Sequence, residues 1–295
     1  MIAVISTFDP ARLGLLGAFC AHYRALGADQ IRIVLQLEPT LPEAAQRRET
    51  ERAEEALARA GARLENVLVA PFDAITLRRN HNWRQNLLPK RFEWIVWADS
   101  DELQEHPGGL HATAEALARE GRDARMGRLV DRFARDGRLA HLNGASLWET
   151  FPLGADFTGR VLGARTDKVV MARRETRIGV GNHQLRGRPP GRFEPTLPVH
   201  HFKWDASVAD RLRRRLDPDW QARCRWWTVS ATALDRIAQG AGAVPLDGLD
   251  LIDFADDLPG LGAGPLSGNP AYTGGPYWAG ALAKADRLPA SSTYD

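Results

Sequence analysis

Ile2-Ala-Val-Ile-Ser-Thr7, then Asp9-Pro10, then Leu15, Phe19, Tyr23 and Leu26 closed by Gly27, form the stretch from which the fold is read. The β-rich apolar run is a buried strand. Asp9 supplies a helix cap and Pro10 a first helical position, and apolar residues three or four apart mark one helix face. Gly27 ends that helix. The alternation then repeats. Ile31 to Leu37 is a second strand, Pro42 to Ala60 a charged helix closed by Gly61, and Asn66 to Ala70 a third strand. A helical stretch around Arg84 to Leu88 leads to a fourth strand, Phe92 to Ala98. Four strands joined by three crossovers in about a hundred residues are βαβ units feeding a largely parallel sheet, so the class is α/β.

After Asp99 the pattern turns irregular. It holds a helix at Leu110 to Arg119, strand-like runs at Met126 to Phe133, Lys168 to Ala172 and Pro198 to Trp204, and one or two Arg/Trp-rich helices from Ala206 to Gln239. The tail from Gly240 is dense in Gly, Pro and Asp and is expected to wrap the surface. Of the 295 residues, 44% are hydrophobic and 26% charged, which excludes a disordered or fibrous chain. A net charge of +2 gives no support to a nucleic-acid-coating surface. Cys20 and Cys224 cannot build a disulfide framework or a zinc-thiolate site. With no signal-like start and no apolar run near the roughly 20 residues of a membrane span, a cytoplasmic location is expected, peripheral to a membrane at most.

The chemistry is concentrated in Phe92-Glu-Trp-Ile-Val-Trp-Ala-Asp99-Ser100-Asp101-Glu102, an apolar strand ending in three carboxylates. Ligands of open α/β sheets bind beyond the carboxyl ends of the strands. Two carboxylates spaced i, i+2 can share one hard divalent cation, which in turn can bridge a diphosphate. The plainer reading is that these acids cap a turn or solvate a loop.

With these residues in view, the sequence resembles glycosyltransferases of the GT-A fold, in the broad family 2 group and close to the family 92-like domains. The resemblance covers residues 1 to 205. It rests on Phe19-Cys-Ala-His22-Tyr23-Arg-Ala-Leu26-Gly27-Ala-Asp29, on Trp97-Ala98-Asp99-Ser100-Asp101-Glu102 with Leu103 where the family usually has Phe, and on three later segments in matching order. Those are Lys168-Val-Val, Gly181-Asn182-His183 and His200-His201-Phe202-Lys203-Trp204.

The resemblance implies a GT-A domain at residues 1–205 with a mixed central sheet, followed by a helical extension and irregular tail at residues 206–295. It implies transfer of a sugar from a nucleoside diphosphate donor to a glycan or glycolipid acceptor, assisted by Mn²⁺ or Mg²⁺ and with inversion. Asp101 would bind the metal directly, and Asp99 would bind the metal, the ribose or a bound water. Thr7 and Glu38, at the ends of the first two strands, would contact the nucleoside, and Lys168 would contact the donor.

Strand alternation sorts the histidine pair, placing His201 with Lys203 on the ligand side and His200 with Phe202 and Trp204 in the packing. His201 is then a third metal ligand and Lys203 a phosphate contact, with a hydrogen-bonded structural role as the alternative for His201. His183, beside Gly179 and Gly181, competes as a contact to donor phosphate or acceptor. Arg84 is a donor contact or part of a solvated helix face. An inverting reaction needs a carboxylate base, and Glu149 and Asp156 lie in the loop-rich region that would form the acceptor wall.

Gln221-Ala-Arg-Cys-Arg225-Trp226 resembles the Gln-x-x-Arg-Trp motif of membrane-embedded synthases, but no transmembrane helices accompany it. The surrounding Asp210 to Trp227 segment reads as a solvated helix with buried tryptophans, the alternative being a basic aromatic face toward an anionic acceptor or lipid surface. Two further readings compete: a phosphatase of the haloacid dehalogenase type, whose aspartate pair normally follows the first strand, and a non-catalytic carbohydrate-binding module. A nucleotidyltransferase would be expected to carry a Gly-rich basic loop where this chain has Ser6-Thr7-Phe8-Asp9-Pro10.

Overall fold

The computed structural model describes residues 1–141, 146–186, 197–222 and 226–254. Its first part alternates strand and helix: β1 (Ile2–Phe8), α1 (Leu16–Ala25), β2 (Gln30–Leu37), α2 (Glu43–Arg59), β3 (Leu64–Val69), α3 (Ala74–Leu87) and β4 (Trp94–Trp97). There follow β5 (Glu102–Gln104), α4 (Gly109–Arg119), β6 (Ala124–Phe133), α5 (Leu147–Thr150), β7 (Leu153–Ala155), α6 (Phe157–Arg160), β8 (Asp167–Arg173) and β9 (Leu197–His201). The described chain ends with α7 (Val208–Arg214), α8 (Pro218–Gln221), α9 (Trp227–Gln239) and β10 (Ile252–Asp253).

All strands share one sheet, ordered β10-β7-β6-β8-β4-β1-β2-β3, with β9 paired to β5 and β6. β3, β2, β1 and β4 are parallel, so their carboxyl ends share one edge. β8 runs antiparallel to both β4 and β6. This is the α/β class with a mixed central sheet and a C-terminal helical extension, the GT-A layout expected above.

The sheet is covered on both faces. Ile2, Val4 and Phe8 of β1 pack with Phe19 and Tyr23 of α1 and Leu57 of α2, while Ala3 and Ile5 pack on the other face with Trp97, Leu88 and Val169. Burial of each large apolar side chain contributes about 1.5–3 kcal/mol relative to leaving it exposed. The entry to α1 follows the cap: the Asp9 carboxylate accepts from the Ala11 amide at 2.8 Å, and Pro10 opens a 3₁₀ turn that runs into the helix.

Three segments differ from the sequence reading. The helix near Arg84 begins ten residues earlier, at Ala74, and is 14 residues long. Its buried face carries Asn80, His81, Arg84 and Gln85, so no apolar period reveals it. The last strand stops at His201, and Trp204 instead stacks on Phe133 and meets Phe157 edge-on. Among its described residues the Ala206 to Gln239 region holds three helices, because Asp217 and Pro218 start a new one. Leu212 of α7 and Ala233 and Ile237 of α9 pack around Trp204, which fastens the extension to the sheet. The tail beyond residue 254 lies outside the described residues.

Candidate active site

β4 leads Asp99, Asp101 and Glu102 out beyond the carboxyl edge of the parallel strands. The chain turns there, with the Glu102 amide donating to the Asp99 carbonyl at 3.0 Å, and re-enters the sheet as β5. The register of β5 with β9 sets Glu102 opposite His201 and Leu103 opposite His200. Because β8 is antiparallel to β4, its first residues arrive at the same edge. Lys168 Nζ lies 2.7 Å from Asp99, 2.8 Å from Glu102 and 3.0 Å from the Gly181 carbonyl.

These groups set one another's charge. Burial opposes ionisation of Asp99, but the Lys168 ammonium outweighs it and leaves Asp99 below its usual range. Burial, reinforced by the Asp99 charge, pushes Glu102 upward despite Lys168. Lys168, though buried, is raised by the two carboxylates it bridges. Asn182, in the left-handed region at φ 59°, adds a longer 3.4 Å contact to Asp99.

The second aspartate is held from the other side. Arg12, in the turn after β1, places Nη2 2.5 Å from Asp101 and Nη1 2.6 Å from Asp205, and also donates to the Phe202 carbonyl at 3.2 Å. Arg211 of α7 pairs with the remaining Asp205 oxygen at 3.1 Å. Burial acts against the Asp101 charge, but Arg12 and His201 overcome it and hold the carboxyl far below its usual range. Only Oδ2 of Asp101 is engaged in these contacts, so its Oδ1 has no hydrogen-bonded partner among the described residues.

His201 closes the cluster. Its Nδ1 donates to Asp131 at 2.8 Å, and its Nε2 lies 3.7 Å from Asp101 Oδ2. Asp131 is fully buried on β6 and also accepts from the Thr158 amide at 2.6 Å, the Thr158 hydroxyl at 2.9 Å and the Trp204 indole at 3.0 Å. A histidine whose Nδ1–H is fixed by a carboxylate presents Nε2 in one orientation, as metal-binding histidines do. Lys203, near the same cluster, rests over the Trp204 ring and has no ion-pair partner among the described residues. Burial, aided by Arg215, lowers it to about 8.

Beside the cluster, at the ends of β1 and β2, Thr7 Oγ1 bonds to His81 Nε2 of α3 at 2.9 Å, and His81 stacks obliquely on Trp97. Burial lowers His81 to about 4, so it is neutral near pH 7. Asn80 Nδ2, Gln36 Oε1 and Trp97 Nε1 are buried on this side of the sheet without hydrogen-bond partners in the described structure. Glu38 is exposed and accepts from the Phe72 amide at 3.1 Å. His183 gives Nδ1 to the Asp167 carbonyl at 2.6 Å and, lowered to about 3 chiefly by burial, is a neutral ring beside Gly181.

The remaining expected residues are placed elsewhere. Asp99 is turned to Lys168, so Asp99, Asp101 and His201 do not converge; among the described residues no three His, Cys, Asp or Glu side chains form a metal-holding group. Lys168 is therefore occupied by protein carboxylates rather than open to a donor. Arg84 is buried against Trp83 and faces Glu65, near the start of β3 and away from the carboxyl edge. Glu149 is exposed on α5, and its neighbour Trp148 packs edge-on against His200 and Phe202. Asp156 caps α6, accepting from the Gly159 amide at 2.8 Å. The Gln221 to Trp226 string is interrupted by residues 223–225, which lie outside the described residues and include Cys224 and Arg225.

Arg12, Asp131, Asp205, Arg211 and His81 were not singled out from sequence. Asp131 alone carried a usable signal, a carboxylate inside the apolar strand Leu129-Val-Asp-Arg-Phe133.

No known protein family matches the sequence, and no curated protein does. Among solved structures, similarity is found to a 4-diphosphocytidyl-2C-methyl-D-erythritol synthase from Anaerococcus prevotii, at 9% identity and a TM-score of 0.28 over 48% of this chain and 60% of that one. A nucleotidyl transferase from Methanothermobacter matches at 17% identity and a TM-score of 0.24, over 47% of this chain and 63% of that one. The galactosyltransferase LgtC, in complex with donor and acceptor sugar analogues, matches at 15% identity and a TM-score of 0.25, over 44% and 46%. This chain spans less than two thirds of the length of each. The fold class rests on the strand order itself. No helix among the described residues is long and apolar enough to cross a membrane.

Proposed function

We propose that the chain is a glycosyltransferase that uses a nucleoside diphosphate sugar and a divalent cation to modify a glycan or glycolipid acceptor. The observation that carries this reading is the pairing of Asp101 with His201 Nε2 at the carboxyl edge of the parallel strands, the ring being fixed by Asp131. Mg²⁺ is held by one or two carboxylates when substrate phosphates and water complete the shell. The free Asp101 Oδ1 fits that donor set, and the oriented His201 Nε2, an imidazole nitrogen that these hard ions favour less than oxygen, would be the second ligand. When bound, the ion would neutralise the charge that develops on the leaving diphosphate.

The chain's own residues supply the rest. Lys203, a cation without a carboxylate partner among the described residues, is available to a phosphate oxygen. Thr7, His81, Asn80 through Nδ2 and Gln36 through Oε1 offer hydrogen-bonding atoms to a nucleoside. Arg12 and Lys168 keep Asp101 and Asp99 in place before any ligand arrives, which removes reorganisation from the reaction. Inversion is the stereochemical outcome the family resemblance implies; of the two carboxylates named for the base, Glu149 is the exposed one, whereas Asp156 is engaged in its cap.

Calorimetric titration of nucleoside diphosphates and their sugars, with and without Mn²⁺, tests the reading on the wild type and on Asp101→Ala. The expected result is binding of one nucleotide that requires metal and is lost in the variant. Binding of no nucleotide under any metal condition removes the transferase reading and turns attention to phosphatase activity or sugar binding alone.

A further inference from the structure

Helix α3 has two faces of opposite character. Asn80, His81, Arg84 and Gln85 point into the protein, whereas Ile75, Arg79, Trp83 and Leu87, spaced by four residues, form a stripe along the outside. Ile75, Trp83 and Leu87 are 43%, 52% and 53% exposed, three of the most exposed large apolar side chains among the described residues. Single exposed apolar residues need no explanation, but three on one helix face do.

The segment that carries the stripe, bounded by Asp73 and Glu93, holds charge of one sign. From Ala74 to Phe92 the chain carries Arg78, Arg79, Arg84, Lys90 and Arg91 and not one Asp or Glu. Arg84 is turned inward to Glu65. Arg78, Arg79 and Lys90 have no hydrogen-bonded or ion-paired partner among the described residues, and Arg91 lies over the Phe92 ring. The nearest acid on the same element, Asp73, is engaged in the helix cap with Ile75 and Thr76.

An apolar stripe flanked by unpaired cations matches the boundary between lipid headgroups and acyl chains, where anionic headgroups meet Lys and Arg while Trp and Leu enter the hydrocarbon. A second copy of the chain fits poorly, since a two-fold contact would set the same cations against one another. A helix of this length, about 21 Å, also offers far less area than the roughly 800 Å² per partner of a stable protein interface.

We propose that the outer face of α3 docks on an anionic bilayer, with Trp83 and Leu87 entering the interface and Arg78, Arg79, Lys90 and Arg91 on the phosphates. The inner face of the same helix supplies His81 to the nucleoside side of the candidate site. Docked lipid therefore lies about one helix diameter, roughly 10 Å, from that site. This proposal stands on the surface of the helix and is independent of the reaction assigned above.

The test is co-sedimentation of the full chain with phosphatidylcholine vesicles and with vesicles that also contain phosphatidylglycerol. Binding is expected only to the anionic vesicles and should fall as salt is raised. Trp83→Ser with Leu87→Ser, and separately Arg79→Glu with Lys90→Glu, are each expected to weaken binding at least about tenfold, and the charge-reversed pair, whose side chains have no partners among the described residues, should melt like the wild type. Three outcomes overturn the proposal: no wild-type binding to anionic vesicles, binding unchanged in both double variants, or equal binding to neutral vesicles. A concentration-dependent dimer abolished by the serine pair, without vesicle binding, also overturns it and assigns the face to a second copy.

Discussion

Arg12 Nη2 lies 2.5 Å from Asp101 Oδ2, so the turn after the first strand is bound to the acidic cluster after the fourth. Both side chains are largely buried, and the same guanidinium also neutralises Asp205. Removing one partner of such a set leaves charges buried and uncompensated. Arg12→Ala is therefore expected to destabilise the fold by about 3–5 kcal/mol, measured by urea unfolding. Arg47→Ala, which breaks an exposed pair on α2, should cost no more than about 1 kcal/mol in the same assay.

Asp131 accepts hydrogen bonds from Thr158, His201 and Trp204 and has no solvent contact. Asp131→Asn keeps the shape but replaces one acceptor oxygen with a donor. It is expected to cost about 1–3 kcal/mol of stability, since at least one donor loses its partner. With its carbonyl oxygen kept toward His201, Trp204 and the Thr158 hydroxyl, the amide still orients the ring but without the charge that strengthens that bond, and metal-dependent nucleotide affinity should fall about 10–100-fold, read by calorimetry.

Glu105, His200 and Arg132 form a buried chain behind the site. Arg132 Nη1 donates to His200 Nδ1 at 3.1 Å, so the neutral ring directs its Nε2–H to Glu105 at 2.5 Å. Burial raises Glu105 from 4.5 to about 8 and keeps His200 well below its ordinary value. The folded state thus holds the Glu105 proton more tightly than the unfolded state does. That contribution to stability is fully present below pH 4.5 and is lost as pH rises through about 8. Melting temperatures across this range should decline toward the alkaline side in the wild type and decline less in Glu105→Gln.

Gly127 sits on β6 where β8 and β9 flank it. A Cβ there would lie 2.6 Å from Val170 Cγ1, 2.6 Å from Val199 Cγ2 and 2.9 Å from the Leu197 carbonyl oxygen. Gly127→Ala must push apart the strands that carry Lys168 and His201. About 1–3 kcal/mol of stability should be lost, measured by thermal and urea unfolding.

The parallel half of the sheet was legible because its signals are local. Asp9-Pro10, Gly27 and Gly61 punctuate the chain where α1 and α2 begin or end, β1 opens with four apolar residues and β4 is an unbroken apolar run. The first ten residues of α3 carry no apolar period, because the inner face of the helix is polar. The candidate site was legible at Asp99 to Glu102, at Lys168, which bridges two of these acids, and at the histidine pair, where strand alternation separates His200, in the Glu105–Arg132 chain, from His201, beside Asp101. Its counter-charges were not. Arg12, Asp131 and Asp205 meet through sheet register and loop return over separations of 70 to 193 residues, and no short pattern encodes such pairings.

The parallel pairing of β9 with β6 sets an order in time for a chain emerging from the ribosome. Asp131 is made 70 residues before the histidine that shares its charge. At about 5–20 residues per second, this interval lasts several seconds. Throughout it, the nascent β6 carries a carboxylate that has at most the Thr158 donors and not yet those of His201 and Trp204. The parallel βαβ half can assemble early, but the Asp131–His201 and Arg12–Asp205–Arg211 contacts close only when residues 197–211 arrive, so the candidate site forms after most of the sheet has been made.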